Sequence, residues 1–166
     1  MSTLAIENIE HTNGTNAMTV NDGGAVTFPS IPCCYVRLTT SNVHDTSNPF
    51  TTTGTDIKLD KIDLNQGSCY DASTGRFTVS VAGVYEANCQ FLTNASSSTD
   101  KQFSLYKNGT AVHYGYHGVN SQHVEMHVHA LLSLVPGDYL TVRLDQGEIY
   151  IDGSGGYSAF AVKLIG

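Results

Sequence analysis

Residues 65–91 constrain the fold more tightly than any other part of the chain. They read Asn65-Gln66-Gly67-Ser68-Cys69-Tyr70-Asp71-Ala72-Ser73-Thr74-Gly75-Arg76-Phe77, then, after five residues, Gly83-Val84-Tyr85. The polar run ending at Gly75 is turn chemistry. Phe77, Val79 and Val81 then alternate with polar residues, as one face of a half-buried strand does. Ala82-Gly83 predicts a tight reversal. After it, Tyr85, Ala87, Cys89 and Phe91 share one face of a second strand. Side chains on a strand alternate between two sides, so each such run has one apolar face that must be covered.

The same pattern runs through the rest of the chain. Strands are expected near residues 34–39, 57–64, 76–81, 84–93, 101–107, 110–117, 122–134, 138–145 and 157–165, with an irregular strand near 148–151. No stretch holds a helical period. Asp56, Asp60 and Asp63 are spaced as on a helix, but Ile57 with Leu59 and Ile62 with Leu64 alternate as strands do. Asn108-Gly109, between Phe103-Ser104-Leu105 and Ala111-Val112, predicts a two-residue hairpin. Pro136-Gly137-Asp138 turns the chain before Leu140, Val142 and Leu144, which face one way. About ten short strands separated by turns imply an all-β sandwich or barrel.

Residues 1–32 read differently. Leu4, Ile6 and Ile9, then Ala17-Met18-Thr19-Val20, are weak strands separated by Asn- and Gly-rich turns, and Pro29 and Pro32 close the segment. Such short units bury no core of their own. The expected organisation is therefore a docking arm at 1–32 and a β domain at 33–166.

The net charge is −7 and the eight Lys and Arg are scattered singly, which excludes a phosphate-neutralising surface and hence a nucleic-acid or anionic-membrane partner. No apolar run approaches a membrane span, and the start lacks the basic-then-apolar pattern of a signal peptide. Among the four cysteines, Cys33 and Cys34 are adjacent and Cys69 and Cys89 flank the Phe77 strand. They read as free, mostly buried thiols, with a Cys69–Cys89 bridge left open. No Gly-x-Ser-x-Gly, phosphate loop or His-Glu-x-x-His occurs, so the expectation is a protein that is not an enzyme.

The phrase built on Asn65, Tyr70, Phe77, Gly83 and Tyr85 resembles the signature of the globular heads of the complement C1q and tumour-necrosis-factor superfamily. Further similar wording lies in Phe103-Ser104-Leu105-Tyr106-Lys107-Asn108-Gly109, in Gly137-Asp138-Tyr139-Leu140-Thr141-Val142 and in Tyr157-Ser158-Ala159-Phe160-Ala161-Val162. The likeness covers roughly residues 33–166. It departs from the family at Leu59, where a Phe is usual, and at Ala87 and Cys89, which replace an aromatic pair. The chain also has no Gly-x-y collagen repeat. The resemblance implies a ten-stranded jelly-roll sandwich that assembles as a homotrimer. The wording of Ile9-Glu10-His11-Thr12-Asn13-Gly14-Thr15-Asn16-Ala17-Met18-Thr19-Val20 looks like linker segments of bacteriophage virion proteins. Together they imply a virion surface protein, either a short fibre or receptor-binding knob or a capsid decoration protein. Residues 1–32 would hold it to the particle, and a host-surface carbohydrate or protein would be its target. The alternative implied is a soluble C1q-like module that binds carbohydrate or protein.

The sharpest local feature is His123-Val124-Glu125-Met126-His127-Val128-His129-Ala130. On a strand, Val124, Met126, Val128 and Ala130 face the core, while His123, Glu125, His127 and His129 share the other side. In the resembling family this side lies near the three-fold axis, so these four residues, with Tyr157, Ala159 and Ala161 of the last strand, are the expected interface. Three copies of His123, His127 or His129 at one level are a candidate cage for a divalent metal. The plainer reading of the same face is polar side chains hydrogen-bonding across an interface. Tyr114 and Tyr116 share one side of their strand and His113 and His117 the other; this pattern suits an aromatic recognition edge, or more simply a packed strand pair. Residues 152–156 read as a glycine-rich turn. The triplets at Asn13, Asn94 and Asn108 read as turns rather than glycosylation sites. Loops 41–55, 94–100 and 118–121 are the expected displayed surface.

Overall fold

The computed structural model describes residues 8–10, 12, 14, 16–39, 53–95, 99–118, 122–151 and 156–166, and contains only strands and turns. The N-terminal arm forms its own three-stranded antiparallel sheet from β1 (Asn8–Glu10), β2 (Asn16–Val20) and β3 (Val26–Thr27). Ten strands make the sandwich: β4 (Cys33–Arg37), β5 (Lys61–Gln66), β6 (Tyr70–Asp71), β7 (Arg76–Thr78), β8 (Gly83–Leu92), β9 (Lys101–Lys107), β10 (Thr110–His117), β11 (Glu125–Leu134), β12 (Tyr139–Gln146) and β13 (Ala159–Leu164). They form two five-stranded sheets, β11-β8-β13-β4-β5 and β10-β9-β12-β7-β6, here called the inner and outer sheets. The chain passes repeatedly between the two. This is the expected jelly roll with its arm.

Between the sheets lies one core. Tyr85, Ala87, Cys89 and Phe91 of β8 are all buried, as the alternation requires, and meet Phe77, Phe103, Leu140, Val142 and Leu144 of the outer sheet. Phe77 meets Tyr85 edge-on at 5.8 Å between ring centres, and Phe91 meets Phe103 at 4.9 Å. Both pairs join one sheet to the other and have the geometry that aromatic quadrupoles favour.

The family phrase has a physical account at every residue. Asn65, next to last in β5, uses its amide as a splice: Nδ2 donates to the Tyr70 carbonyl and Oδ1 accepts from the Tyr70 N–H, each at 2.9 Å. This satisfies backbone where the chain leaves the inner sheet for the outer one, where no ladder can. Buried Tyr70 accepts from the Leu59 N–H (3.0 Å) and donates to the Leu59 carbonyl (3.1 Å). Tyr85 donates to the Val81 carbonyl at 2.7 Å. Gly83 is required by space, because a β-carbon there would lie 2.5 Å from Leu164 Cδ1 and 2.6 Å from the Gly166 carbonyl oxygen. Gly75 is required twice over. Its φ is +73°, and a β-carbon would lie 2.5 Å from the Ile57 carbonyl oxygen.

Three expectations are corrected. The reversal at Ala82-Gly83 is not a hairpin: β7 stops at Thr78 and the chain crosses to the other sheet, leaving Val81 exposed although Phe77 and Val79 are buried. The single strand expected at 57–64 is split. Residues 54–57 run beside β12, with the Gly54 N–H bonded to the Leu144 carbonyl and that of Ile57 to the Val142 carbonyl. The chain then enters β5 in the inner sheet. Ile57 and Leu59 are buried, whereas Ile62 and Leu64 are exposed. β6, two residues long, was not expected.

The Asn108-Gly109 hairpin is as expected, with φ of 52° and 79°. Cys34, Cys69 and Cys89 are buried, Cys33 is half-buried, and all four are free thiols, with no Cys69–Cys89 bridge. Burial pushes the Cys34 and Cys89 thiols far up and the Cys69 thiol up to about 11. All three stay protonated and behave as small apolar groups. Asn94 is buried, with its amide donating to Glu148 at 2.7 Å. Residues 11, 13 and 15 of the arm, and most of the 41–55, 119–121 and 152–155 loops, lie outside the described residues.

Asp138 ties two turns together. Its carboxylate accepts from Asn108 Nδ2 (2.7 Å) and the Val135 N–H (3.0 Å), and pairs with Lys107 at 3.0 Å. The Asn108 bond above all, then the Val135 and Lys107 contacts, holds its pKa down at about 2. A depressed carboxyl stabilises the fold above its unfolded value, about 4, and loses that effect as pH falls through its folded value. Asp138→Asn is expected to lower the melting temperature at pH 7, and the gap to wild type should close between about pH 4 and pH 2. An unchanged gap at pH 2 would show that the charge is irrelevant. Gly75→Ala is expected to cost roughly 2 kcal/mol or more in urea unfolding, from left-handed strain and backbone contact. A loss below about 0.5 kcal/mol, the level of an ordinary surface change, would contradict the crowding at Ile57.

Candidate functional site

The core-facing side of the inner sheet is fully occupied, so the question is what its other side does. Register defines that side row by row. Pairing across β11, β8, β13 and β4 sets His127, Gln90, Ala159 and Arg37 in one row, and His129, Asn88, Ala161 and Tyr35 in the next, extended on β5 by Leu64. A third row holds Leu131, Glu86, Lys163, Cys33 and Gln66.

This face is apolar at both flanks and shallow in the middle. Tyr35 (41% exposed), Leu64 (46%) and Ile62 form one flank, while Leu131 (59%) lies at the other with Val84 and Ile165. Ala159 and Ala161 are too small to fill the centre. Two depressions result. One of about 390 Å³ is bordered by Tyr35, Leu64, Cys33, Lys163 and Glu86. The other, about 200 Å³, lies between Tyr35, Asn88, His127 and His129.

Several charges on the face have partners within the chain. Glu86 accepts from Lys163 at 2.8 Å and from His129 Nε2 at 3.1 Å, and these contacts, led by Lys163, lower its pKa. Glu125 accepts from Gln90 and lies 3.6 Å from His127 Nε2. Arg37 forks onto Asp63, which lowers the Asp63 pKa. A half-apolar surface with its charges paired can be covered by protein without stranding an ion. Among exposed groups such pairs contribute little to stability by themselves.

Of the residues singled out from sequence, His127 and His129 on edge strand β11 and Ala159 and Ala161 on central β13 together line the smaller depression. Glu125 lies on the same side at the start of β11. The strand alternation is as expected, with Met126 and Val128 buried and the histidines and Glu125 exposed. His123 departs from the set. It precedes β11, its Nδ1 is 2.8 Å from the Thr93 carbonyl, and its ring packs edge-on against Tyr150 at 5.0 Å. Tyr150 in turn meets Tyr157 at 6.2 Å, so His123 and Tyr157 share an aromatic cluster at one end of the face. His123, His127 and His129 do not converge within one chain; the cage expected from sequence would draw the same histidine from each of three copies. Among the described residues no three His, Cys, Asp or Glu side chains could hold a metal ion.

Sequence reading missed Tyr35, Leu64 and Leu131 as members of this face. Leu64 had been read as part of one strand at 57–64, and only the crossing between sheets set it beside Tyr35. Tyr114 and Tyr116, for which a packed strand pair was the simpler expectation, are instead exposed.

The fold matches solved structures across most of the chain. The globular domain of zebrafish complement 1qA superimposes with a TM-score of 0.63 at 18% identity, over 81% of this chain and 98% of that one. The TNF Eiger from S. frugiperda gives 0.64 at 13% identity, over 82% of this chain and 94% of that one. In sequence, complement C1q tumor necrosis factor-related protein 5 of Rattus norvegicus is 31% identical over 97 residues, which are 57% of this chain and 38% of the relative. The match thus spans well under half of that relative's length. Residues 41–165 match the family model of the C1q domain, a stretch that holds β5 to β13 and the Asn65, Tyr70, Phe77, Gly83 and Tyr85 framework; the chain belongs to the C1q domain family.

Proposed function

We propose that the protein is a non-enzymatic C1q-like binding head that acts as a homotrimer and recognises carbohydrate or protein. The observation that carries this reading is the outward side of the inner sheet. It is broad, apolar at both flanks, carries the Glu86–Lys163–His129 and Arg37–Asp63 pairs, and lies on a sheet whose other side is already buried. Exposed apolar patches of this kind mark association surfaces. The Tyr35–Leu64 flank of one copy and the Leu131 edge of the next are different surfaces, so their contact is heterologous and closes as a ring. A closed three-fold ring hides all three faces and presents every remaining surface in triplicate, so weak single contacts gain avidity. In such a ring His127 and His129 of three copies surround the axis, where a divalent ion is a second occupant to test.

Sedimentation of the wild type at micromolar concentration should give a trimer, unaffected by chelator unless the axis holds a metal. Leu64→Asp should shift it to monomer, weakening association about 100-fold or more, with circular dichroism unchanged, because one buried unpaired charge is introduced per contact. A wild-type monomer would end the reading.

A second reading, display on a virus particle, is supported by the arm. Ile9, Met18, Val20 and Val26 fall on one side of the β1-β2-β3 sheet by register, and Ile9, Val26 and the following Phe28 are exposed. The arm holds the head through few bonds, among them Gln66 Nε2 to the Phe28 and Ile31 carbonyls at 3.0 and 2.6 Å. Deleting residues 1–32 separates the readings. A free binding head keeps its trimer and its target, whereas a particle component keeps its trimer but no longer co-sediments with the particle.

A further inference from the structure

The outer sheet has a surface that neither the core nor the candidate interface uses. β10 is its edge strand, and Tyr114 and Tyr116 project from it, 65% and 58% exposed. They share a side because Tyr114 pairs with Ser104 and Tyr116 with Gln102, while the intervening Gly115 pairs with core Phe103. The rings are thus one strand repeat apart, roughly 7 Å. The Tyr116 hydroxyl donates to Asp100 Oδ2 at 2.9 Å, which fixes that ring in place. Beside Tyr114, Val112 and His113 border a depression of about 320 Å³.

Behind the rings the sheet offers neutral donors and acceptors. Gln102 lies next to Tyr116 in the register, and Gln146 next to Gln102. Among the described residues, neither of these two amides is engaged elsewhere in the chain. The neighbouring charges are already satisfied. Arg143 donates to Asp56 at 2.6 Å and lies 4.3 Å over the Tyr106 ring, and Asp145 accepts from Ser104 and from the Tyr106 hydroxyl at 2.9 Å. The surface is therefore open, aromatic and amide-rich, with no free charge among these groups.

That combination selects a ligand class. A sugar ring has a flat side of C–H bonds that stacks on an aromatic face, and a rim of hydroxyls that takes paired hydrogen bonds from planar amides and carboxylates. A protein partner would instead be held by an anchor side chain in a desolvated pocket or by matched charges, and this strip is shallow with its charges paired. We propose that the β10 strip is a binding site for uncharged glycans: Tyr114 and Tyr116 stack on neighbouring sugar rings, and Gln102, Gln146 and Asp100 read the hydroxyls. This rests on the binding-head reading, from which the strip takes its three-fold valency.

The test screens the full-length protein on an array of uncharged hexose and N-acetylhexosamine oligosaccharides, then titrates the best-retained one by calorimetry. Sedimentation of every variant runs alongside. Wild type should retain at least one such sugar. Tyr114→Ala and Tyr116→Ala should each weaken it about ten-fold, and Gln102→Ala should weaken it less, all with the oligomer unchanged. Tyr114→Phe keeps the ring and should keep the affinity. Retention of no uncharged sugar, retention of charged sugars alone, or affinity indifferent to both alanine variants overturns the proposal. So does loss of the oligomer in the tyrosine variants, which would make the strip a subunit contact. A wild-type monomer that still loses its sugar on Tyr116→Ala refutes the trimer and upholds the site.

Discussion

The contact between the two sheets, Phe77 against Tyr85 and Phe91 against Phe103, is the interaction on which the rest of the molecule depends. Strand side chains alternate, so once Tyr85, Ala87, Cys89 and Phe91 are committed inward, Glu86, Asn88 and Gln90 have no choice but to face out. The same logic on β11 and β13 sends His127, His129, Ala159 and Ala161 to that outward side. The candidate interface is therefore a by-product of core burial: its membership is set by the phase of the alternation.

The family phrase works at the places where alternation gives no help, the crossings between sheets. There the backbone leaves one ladder before it joins the next, and its polar groups need other partners. Asn65 supplies them to Tyr70 in both directions, Tyr70 supplies them to Leu59, and Tyr85 to Val81. Gly75 and Gly83 let backbone approach where a side chain would collide. A signature of five scattered residues is in this sense a list of the joints of a jelly roll. That is why it identifies the fold while carrying no catalytic chemistry of its own.

Electrostatics divides the surface into two regions of different character. On the inner sheet Glu86, Lys163 and His129 form a closed set, and Arg37 with Asp63 another, so protein can cover them without isolating a charge. On the outer sheet Arg143 and Asp145 are satisfied locally, and what is left exposed is ring faces and amides. The first region suits a second copy of the chain; the second suits a ligand recognised by stacking and neutral hydrogen bonds.

Much of this was legible in the chain itself. The period of two placed the β8 core residues and the outward histidines, turn chemistry placed the Asn108-Gly109 hairpin, and together they implied a sandwich or barrel of about ten strands, because each of these depends only on near neighbours along the strand or turn. What could not be read was which strand joins which sheet. Residues 57–64 read as one strand, yet Ile57 lies beside β12 of the outer sheet and Ile62 in β5 of the inner one, because the chain changes sheets between them. His123 continues the pattern of His127 but is drawn aside by Thr93 and Tyr150, which are far away in sequence. Local chemistry determined the strands, the turns and their faces. Tertiary packing alone decided which outward faces coincide, because register and sheet membership are set by contacts between segments whose separation along the chain leaves no periodic trace.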